Sequence, residues 1–482
     1  MSKQVFKNSA YYMIASILPT AVGFLMLPIY TRYLTPDDYG VVALVLSLQS
    51  FLPLIMTLQV HNSISRFYFD YHEDREKLRV FISTILVVVI FLSIVVLVGL
   101  LIYLDEILSF VFPKTVGYNE IFALGVISSF FGVFNSTFIN LIRVQQKAKL
   151  FMKVSLVLFV LSLGVNITEV IILEKGAYGV VEASLITVIL SSIVYLFLVR
   201  NFFIFKFDFS KIIDPLKFSI PLIPHSLSGL IFMYSDRIIL ERYVTLSAIG
   251  LYMFSDKIAM VFKMLVNEFN NAFSPYFNQT SKESKEKAIE QTQKIALTFV
   301  YFTAMLIVFV AVFSVEIVYI IFDERYFETW VMIPLLCSAY IFRSLYCFSS
   351  SGLFFEKQTG KVAMITIIAG LANIGLNLWL IPIYGIMIAI YTTIFSFFLT
   401  YIMAELISYK IYYLQLSIKK NLIILVYMFG VIGISIYLNK SFFEFGYVEY
   451  LYKVLIIIIG ILIGYKLKLL NLNILKIKRG KK

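Results

Sequence analysis

Several charged residues fall inside or beside long apolar stretches of the sequence, where a charge is costly and therefore informative. On insertion scales a charged side chain at the bilayer centre costs about 2.5–3.5 kcal/mol, so it usually faces a helix bundle or a watery cavity. Five cations and two carboxylates stand out, and we take them as candidate site residues. They are Arg66, Asp236, Arg237, Lys257, Lys263, Glu268 and Arg343. The excess of cations favours binding of an anionic group such as a phosphate.

The cations differ in the contacts that each could make. An Arg side chain offers a planar fork for a phosphate, whereas Lys offers a point charge. Arg237 is our first choice, with an ion pair to Asp236 or Glu241 as the alternative; Glu241, at i+4, is the better-placed partner within a helix. Lys257 could instead reach the interface by snorkelling. Arg66 could instead be one of the basic residues that set the membrane orientation.

The two carboxylates among the candidates suit ion coupling rather than cargo binding. Glu268 follows Lys263 at i+5, a poor spacing for an ion pair. Asp236 and Glu268 are therefore candidates to carry a proton or a sodium ion. We expect no cofactor, and an ion gradient is the energy source that we consider.

The aromatic residues and prolines of the membrane segments are open to two interpretations. Tyr234 and Tyr252 are candidates to stack on sugars, although most aromatic residues here must face lipid or other helices. Pro221 and Pro224 would open the seventh helix, either as a hinge or as a static kink.

Motifs for catalysis are missing from the sequence. It contains no GxxxxGK[ST] nucleotide loop, no HExxH motif and no nucleophile elbow. Three His and two Cys make a multi-metal site improbable, and we predict no metal. Cys337 and Cys347 lie in one apolar block, so we expect free buried thiols. These features indicate a transporter rather than an enzyme.

The apolar segments that position these residues predict a large helical membrane protein. The chain has 482 residues, of which 60% are hydrophobic and 15% charged. At roughly 20 residues per span this supplies about fourteen helices. Apolar blocks near 20 residues exclude the alternation of a β-barrel. The predicted helices are 10–30, 41–61, 80–104, 118–142, 151–173, 177–204, 217–241, 248–274, 294–322, 329–350, 361–381, 385–412, 421–438 and 447–469.

The basic residues predict the orientation of these helices. Lys and Arg cluster in alternate loops and at both ends of the chain, whereas the other loops hold about one each. This pattern predicts that both termini are cytoplasmic. It also accounts for most of the net charge of +12 without a nucleic-acid partner.

Short matches between the two halves of the chain predict an internal duplication. Arg32-Tyr33-Leu34-Thr35 recurs as Arg242-Tyr243-Val244-Thr245, and Gly40 recurs as Gly250, each 210 residues later. The offset spans six predicted helices, so both halves have one orientation. We predict two six-helix lobes, 1–205 and 206–415, followed by a helix pair and a basic tail in 416–482. Substrate would bind between the lobes, near the bilayer midplane.

Two segments resemble a known group of proteins. The stretch from Leu27 to Gly40, LPIYTRYLTPDDYG, looks like the first-helix signature of Wzx-type polysaccharide flippases, and Ser235–Leu240, SDRIIL, looks like their seventh-helix segment. The resemblance implies the polysaccharide transporter family of the MOP superfamily, with a V-shaped, MATE-like fold. It also implies that the cargo is an undecaprenyl-pyrophosphate-linked repeat unit, flipped across the bacterial cytoplasmic membrane for O-antigen or capsule. A polysaccharide polymerase and a chain-length regulator would be partners.

Three competing functions stay open on the sequence alone. A cation-coupled MATE-type exporter would favour acidic residues in the first two helices, which have none. A peptidoglycan-precursor flippase would differ mainly in its cargo. A membrane glycan polymerase or ligase generally needs a larger loop outside the membrane than this chain provides.

Overall fold

The described part of the chain is built from α-helices joined by short turns and 3₁₀ segments. This computed structural model describes residues 3–441 and 447–466, with side chains from residue 11 onward except at 13, 16, 225, 232, 440–450 and 466. Within those ranges there is no β-strand. The helices are α1 (Lys3–Leu25), α2 (Leu27–Tyr33), α3 (Pro36–Thr57), α4 (Ser63–Tyr71), α5 (Arg75–Ile102), α6 (Leu104–Val111), α7 (Asn119–Val144), α8 (Ala148–Ile167), α9 (Gly176–Val199), α10 (Ile213–Ser219), α11 (Leu222–Tyr243), α12 (Leu246–Glu283), α13 (Lys285–Val312), α14 (Ser314–Ile321), α15 (Thr329–Phe355), α16 (Thr359–Tyr384), α17 (Ile386–Tyr409), α18 (Ile418–Ser441) and α19 (Tyr447–Lys466).

A helix lies in each of the fourteen predicted stretches, so the all-α multi-pass membrane class is confirmed. Ten helices of the described chain are long and apolar enough to cross a membrane. Among the helices in the predicted spans, α1, α11, α12 and α19 are outside that set of ten. The count of fourteen spans therefore stays a prediction, and the basic tail beyond residue 466 lies outside the described residues.

Two of those four helices, α11 and α12, carry five of the seven charged candidates, Asp236, Arg237, Lys257, Lys263 and Glu268. Helix α11 contains Asp236, Arg237, Glu241 and Arg242 within its last two turns. Helix α12 has 38 residues, about 57 Å at 1.5 Å per residue, well beyond the roughly 30 Å of a bilayer core. The charges that lower the apolar character of these helices thus include most of those that the sequence singles out for function.

Helix ends are fixed by local capping. The Thr35 hydroxyl accepts from the Asp38 amide and the Asp38 carboxylate accepts from the Thr35 amide, a capping box that starts α3. The Asp74 carboxylate accepts from the Glu76 and Lys77 amides at the start of α5. A proline marks a third boundary, since Pro221 lies between the end of α10 and the start of α11. The predicted helix over 217–241 is therefore two helices, since proline disrupts the helical hydrogen bonds.

The chain forms two compact units, Met1–Met253 and Phe254–Lys482. In the first unit, α3 packs against α5, α7, α9 and α11, while α1 packs against α8. In the second unit, α15 is the most buried of the ten apolar helices and packs against α13, α14, α17 and α18. The predicted lobes with boundaries at 205 and 415 rest on the sequence repeat and stay a prediction.

Gly40 and Gly250, which match in the predicted repeat, contact each other's helices reciprocally. A Cβ atom on Gly40 would lie 2.1 Å from the Leu246 carbonyl oxygen. A Cβ atom on Gly250 would lie 1.9 Å from the Pro36 carbonyl oxygen. Only glycine permits this backbone approach between the starts of α3 and α12. The duplication inferred from the sequence stays a prediction.

Candidate functional site

Arg237 is buried in the first unit, with 3% of its surface exposed. Its Nη1 donates to the Met233 carbonyl at 2.6 Å and lies 3.5 Å from Asp236 Oδ1. The guanidinium carbon lies 5.2 Å from the ring centre of Tyr234 and 5.9 Å from that of Tyr252. A guanidinium in such surroundings is desolvated, which strengthens its attraction for any anion that reaches it.

Asp236 is held by two further contacts. Its Oδ1 accepts from the Arg237 amide at 2.8 Å, and its Oδ2 accepts from the Tyr252 hydroxyl. Tyr252 is 2% exposed and Tyr234 packs edge-on against Phe51. Tyr252 thus supports the carboxylate, whereas the sequence considered it for stacking on sugars.

The predicted intrahelical partner of Arg237 is wrong in one respect. Glu241, the favoured i+4 residue, accepts from the Lys114 amide at 2.5 Å and is fully buried. It faces the 3₁₀ turn Pro113–Thr115 and fixes that turn to α11. The ion pair of Arg237 forms with Asp236 instead, because Glu241 is turned towards a backbone donor from another element.

A second group of polar residues lies in the second unit, where α12 meets α15. Arg343 Nη2 donates to Asn267 Oδ1 at 3.4 Å, and its buried Nε has no hydrogen-bond partner among the described residues. Lys263 precedes Asn267 by four residues, so both lie on one face of α12. Asp256, which the sequence analysis passed over, shares that face seven residues before Lys263. The structure thus brings Lys263 and Arg343 to the same stretch of α12.

The remaining candidates are more dispersed. Lys257 and Glu268 are partly buried on α12, and Glu268 makes no hydrogen bond or ion pair with the described residues. Arg66 lies on α4, outside the apolar span of α3, with a side chain 58% exposed. Its Nη1 is 3.3 Å from Asp70 Oδ1. Arg66 is therefore a surface cation.

Two further charged clusters are tied into the fold. Lys175 Nζ lies 2.6 Å from Glu169 Oε2 and 2.5 Å from Glu182 Oε2. The pKa of Lys175 is raised, chiefly because Glu169 and Glu182 accept its hydrogen bonds. Lys453 Nζ lies 2.5 Å from Glu316 Oε1, and both are buried. Sequence reasoning missed Lys453, although a lysine inside an apolar segment was the available signal.

The described residues hold no group of three or more His, Cys, Asp or Glu that could bind a metal ion. Cys337 is buried, Cys347 is partly buried, and both are free thiols, as predicted.

Comparison with known proteins gives the family context of these residues. The profile of a family described as polysaccharide biosynthesis protein matches residues 5–281. Lsg locus putative protein 1 of Haemophilus influenzae is 25% identical over 305 residues, covering 61% of this chain and 71% of that protein. The probable low-salt glycan biosynthesis flippase Agl15 of Haloferax volcanii is 24% identical over 202 residues, covering 40% of this chain and 42% of that protein.

Solved structures share the fold at low identity. The lipid II flippase MurJ in an inward closed conformation has a TM-score of 0.71 and 15% identity, covering 96% of this chain and 99% of that one. An inward-facing multidrug resistance MATE family transporter of the MOP superfamily has a TM-score of 0.64 and 14% identity, covering 87% of this chain and 98% of that one. Each likeness concerns architecture, and the chain has a MurJ- and MATE-like fold.

Proposed function

The chain belongs to the polysaccharide biosynthesis protein family, and from that premise we propose that it is a flippase for undecaprenyl-pyrophosphate-linked oligosaccharide repeat units. The cargo would pass from the inner to the outer leaflet of a bacterial cytoplasmic membrane, for the synthesis of a surface polysaccharide. After export, a polysaccharide polymerase and a chain-length regulator would act on the repeat units, and we propose both as partners.

One observation carries the proposal. The family match over residues 5–281 includes α11, the helix on which the buried Arg237 lies. A lipid-linked glycan has an anionic pyrophosphate between an apolar tail and a polar head. The tail can stay in lipid, whereas the pyrophosphate and sugars need a polar path. Arg237 and Lys263 lie within the matched residues, and a buried guanidinium provides a strong, directional contact for a phosphate.

Several moderate contacts suit transport better than one deep contact, since the cargo must also leave. We propose Lys263 and Arg343, which border one stretch of α12, as further contacts for the cargo. Lys257 and Arg66 are proposed as additional cationic contacts. The contacts of Arg237 to Asp236 and to the Met233 carbonyl would compete with the pyrophosphate and so limit the residence time of the cargo.

Net transport in one direction by alternating access requires an energy source, and we propose a proton or sodium gradient. Asp236 and Glu268 are the carboxylates placed to carry the ion. Glu268 is partly buried without a hydrogen-bond or ion-pair partner among the described residues, so protonation or ion binding there would break no existing contact.

The decisive experiment measures flipping of a fluorescent lipid-linked oligosaccharide in proteoliposomes that contain purified protein. Arg237→Glu should reduce the flipping rate by at least about 100-fold, equivalent to roughly 2.7 kcal/mol, because charge reversal repels the pyrophosphate. Arg237→Lys should retain part of the rate, since it keeps the charge but loses the fork. Imposed proton and sodium gradients identify the coupling ion.

Lys217→Glu is the matched control, because Lys217 is an exposed cation with a side chain 75% accessible. It should flip at the wild-type rate. Equal amounts of each variant in the membrane and equal melting temperatures separate transport from folding. A wild-type rate in Arg237→Glu would exclude this residue from cargo binding, and a rate indifferent to both gradients would exclude ion coupling.

A MATE-type small-molecule exporter is the second candidate, favoured by the fold shared with MATE family transporters. Cells that overproduce the protein would then accumulate less of a cationic dye, and purified protein would not flip lipid-linked glycan. A polymerase or ligase would instead make a longer glycan from the same substrate.

A further inference from the structure

A pocket of about 530 Å³ lies at the start of α5, in the first unit and apart from the residues proposed for transport. Its volume is within the roughly 300–1,000 Å³ of small-ligand sites. Its walls come from the first turns of α5 and from the segment that follows α9. The lining residues are Arg75, Glu76, Arg79, Ile204, Phe205 and Lys206.

The segment after α9 is fastened to α5, so the pocket is preformed. The Ile204 amide donates to Ser83 Oγ at 2.9 Å, and the Asp208 amide donates to Thr84 Oγ1 at 3.0 Å. Arg79 Nη2 donates to the Phe203 carbonyl at 3.2 Å. These three bonds hold an irregular stretch of backbone against the helix and keep its side chains in place.

The pocket has an excess of positive charge. Lys206 Nζ lies 2.7 Å from Glu76 Oε1, which accounts for the one carboxylate. Arg75 makes no hydrogen bond or ion pair with any described residue. The buried Nε of Arg79 likewise lacks a hydrogen-bond partner there. Arg75 and Arg79 are one helical turn apart and share a face, which leaves two guanidinium groups available to one anion.

Phe205 lines the pocket, and two more exposed aromatic rings follow it in the same segment. Phe205 is 99% exposed, and Phe207 and Phe209 are 45% and 59% exposed. Phenylalanine rings exposed to this extent would be costly in water, but they can enter the edge of a bilayer. Helix α5 is also the least buried of the ten apolar helices, so its surface is free to face lipid. Rings inserted in this way would place the cations at the level of the lipid phosphates.

We propose that this pocket binds the phosphate of an anionic glycerophospholipid, with Arg75, Arg79 and Lys206 on the phosphate and Phe205 against the glycerol and acyl region. The positive-inside prediction places this end of α5 on the cytoplasmic side, where basic pockets meet anionic head groups. The lipid would anchor the segment between α9 and α10. The inference is independent of the proposed cargo.

The test titrates the purified full chain in neutral detergent with short-chain phosphatidylglycerol, phosphatidylcholine or inorganic phosphate, and detects bound lipid by native mass spectrometry. Phosphatidylglycerol should bind most tightly. Removing a cation should weaken its binding roughly fivefold, so Arg75→Gln combined with Lys206→Gln should weaken it about 25-fold. Both side chains are exposed, so folding should be preserved. Phe205→Ser should weaken the binding of phosphatidylglycerol without affecting the binding of inorganic phosphate.

Lys77→Gln is the matched control, because Lys77 lies between Arg75 and Arg79 in sequence yet does not line the pocket. Lys77 Nζ lies 3.2 Å from Asp74 Oδ2. The Lys77→Gln variant should leave lipid binding unchanged. An equal loss in Lys77→Gln would mean a diffuse charge effect and would overturn the site. Unchanged binding in the double variant would also overturn it. Inorganic phosphate binding as tightly as phosphatidylglycerol would overturn the lipid assignment.

Discussion

Two buried ion pairs of the membrane domain differ in what they connect. Glu316 and Lys453 are 137 residues apart, and their 2.5 Å contact joins α14 to α19. Asp236 and Arg237 are adjacent on α11, and the Arg237 Nη1 atom lies 3.5 Å from the carboxylate while donating to a carbonyl of its own helix. The first pair joins two helices, whereas the second lies within one helix, with Asp236 also accepting a hydrogen bond from Tyr252 on α12.

The difference separates a structural charge from one available to cargo. A buried charge that loses its partner is strongly destabilising, so a pair between helices is constrained by folding. A cation paired along its own helix can exchange that partner for a phosphate while the helix packing stays as it is. On this criterion Lys175, which joins Glu169 and Glu182, resembles Lys453, and Arg237 stands apart.

The sharpest test of the structural class is Lys453→Met. It should lower the free energy of unfolding by about 3–5 kcal/mol, because Glu316 is left buried without its cation. The measurement is thermal or denaturant unfolding of the protein in detergent. The double variant Lys453→Met with Glu316→Gln should recover part of the loss. A melting temperature unchanged by Lys453→Met would contradict the structural role.

Lys175→Met should destabilise the protein less, because the Lys175 side chain is 32% exposed and water can reach the two carboxylates. The pKa of Lys175 is raised by those carboxylates. Its stabilising contribution is therefore complete below the ordinary lysine pKa and is lost only as pH rises through the raised value. Unfolding followed from pH 6 to pH 9 should give a constant difference from wild type, and a difference that vanishes in that window would refute the assignment.

His61 is a buried base whose ring contacts a hydroxyl group. Its Nδ1 lies 3.0 Å from Thr57 Oγ1, and burial lowers its pKa from 6.5 to about 4. The unfolded chain takes up the proton first, so stability should fall as pH drops from 6.5 towards 4. At pH 5 the loss should be about 2 kcal/mol. His61→Asn should remove that pH dependence, and an unchanged slope would assign it to other groups.

The smallest effect concerns the pair on α11. Asp236→Asn keeps the shape and the contact with Tyr252 but removes the charge beside buried Arg237, so stability should also fall and rates are compared per folded protein. If Asp236 couples transport to an ion, the gradient-driven rate should fall about tenfold, equivalent to about 1.4 kcal/mol, while flipping without a gradient continues. The matched control is Asp70→Asn, on the exposed pair with Arg66. Equal gradient dependence in Asp236→Asn and wild type would leave Glu268 as the coupling candidate.

Sequence reasoning succeeded where the signal is local. The helices in all fourteen predicted stretches follow from apolar length, and the free thiols follow from the position of Cys337 and Cys347 in one apolar block. Pro221 is visible in the sequence, which leaves a hinge and a static kink open, but the sequence does not show that this proline separates two helices. Spacing alone favours Glu241 as the partner of Arg237. It cannot reveal that the Glu241 carboxylate accepts a hydrogen bond from the Lys114 amide.

The sequence by itself determined that this is a helical membrane protein and which charges lie within apolar segments, because hydropathy is summed over neighbouring residues. Tertiary structure decided which of those charges are already paired. Lys453 and Glu316, or Lys114 and Glu241, meet only after helices far apart in the chain have packed. Pairing depends on atomic distances across that packing, so it separates Arg237, a buried cation paired along its own helix, from the lysines that hold the fold together.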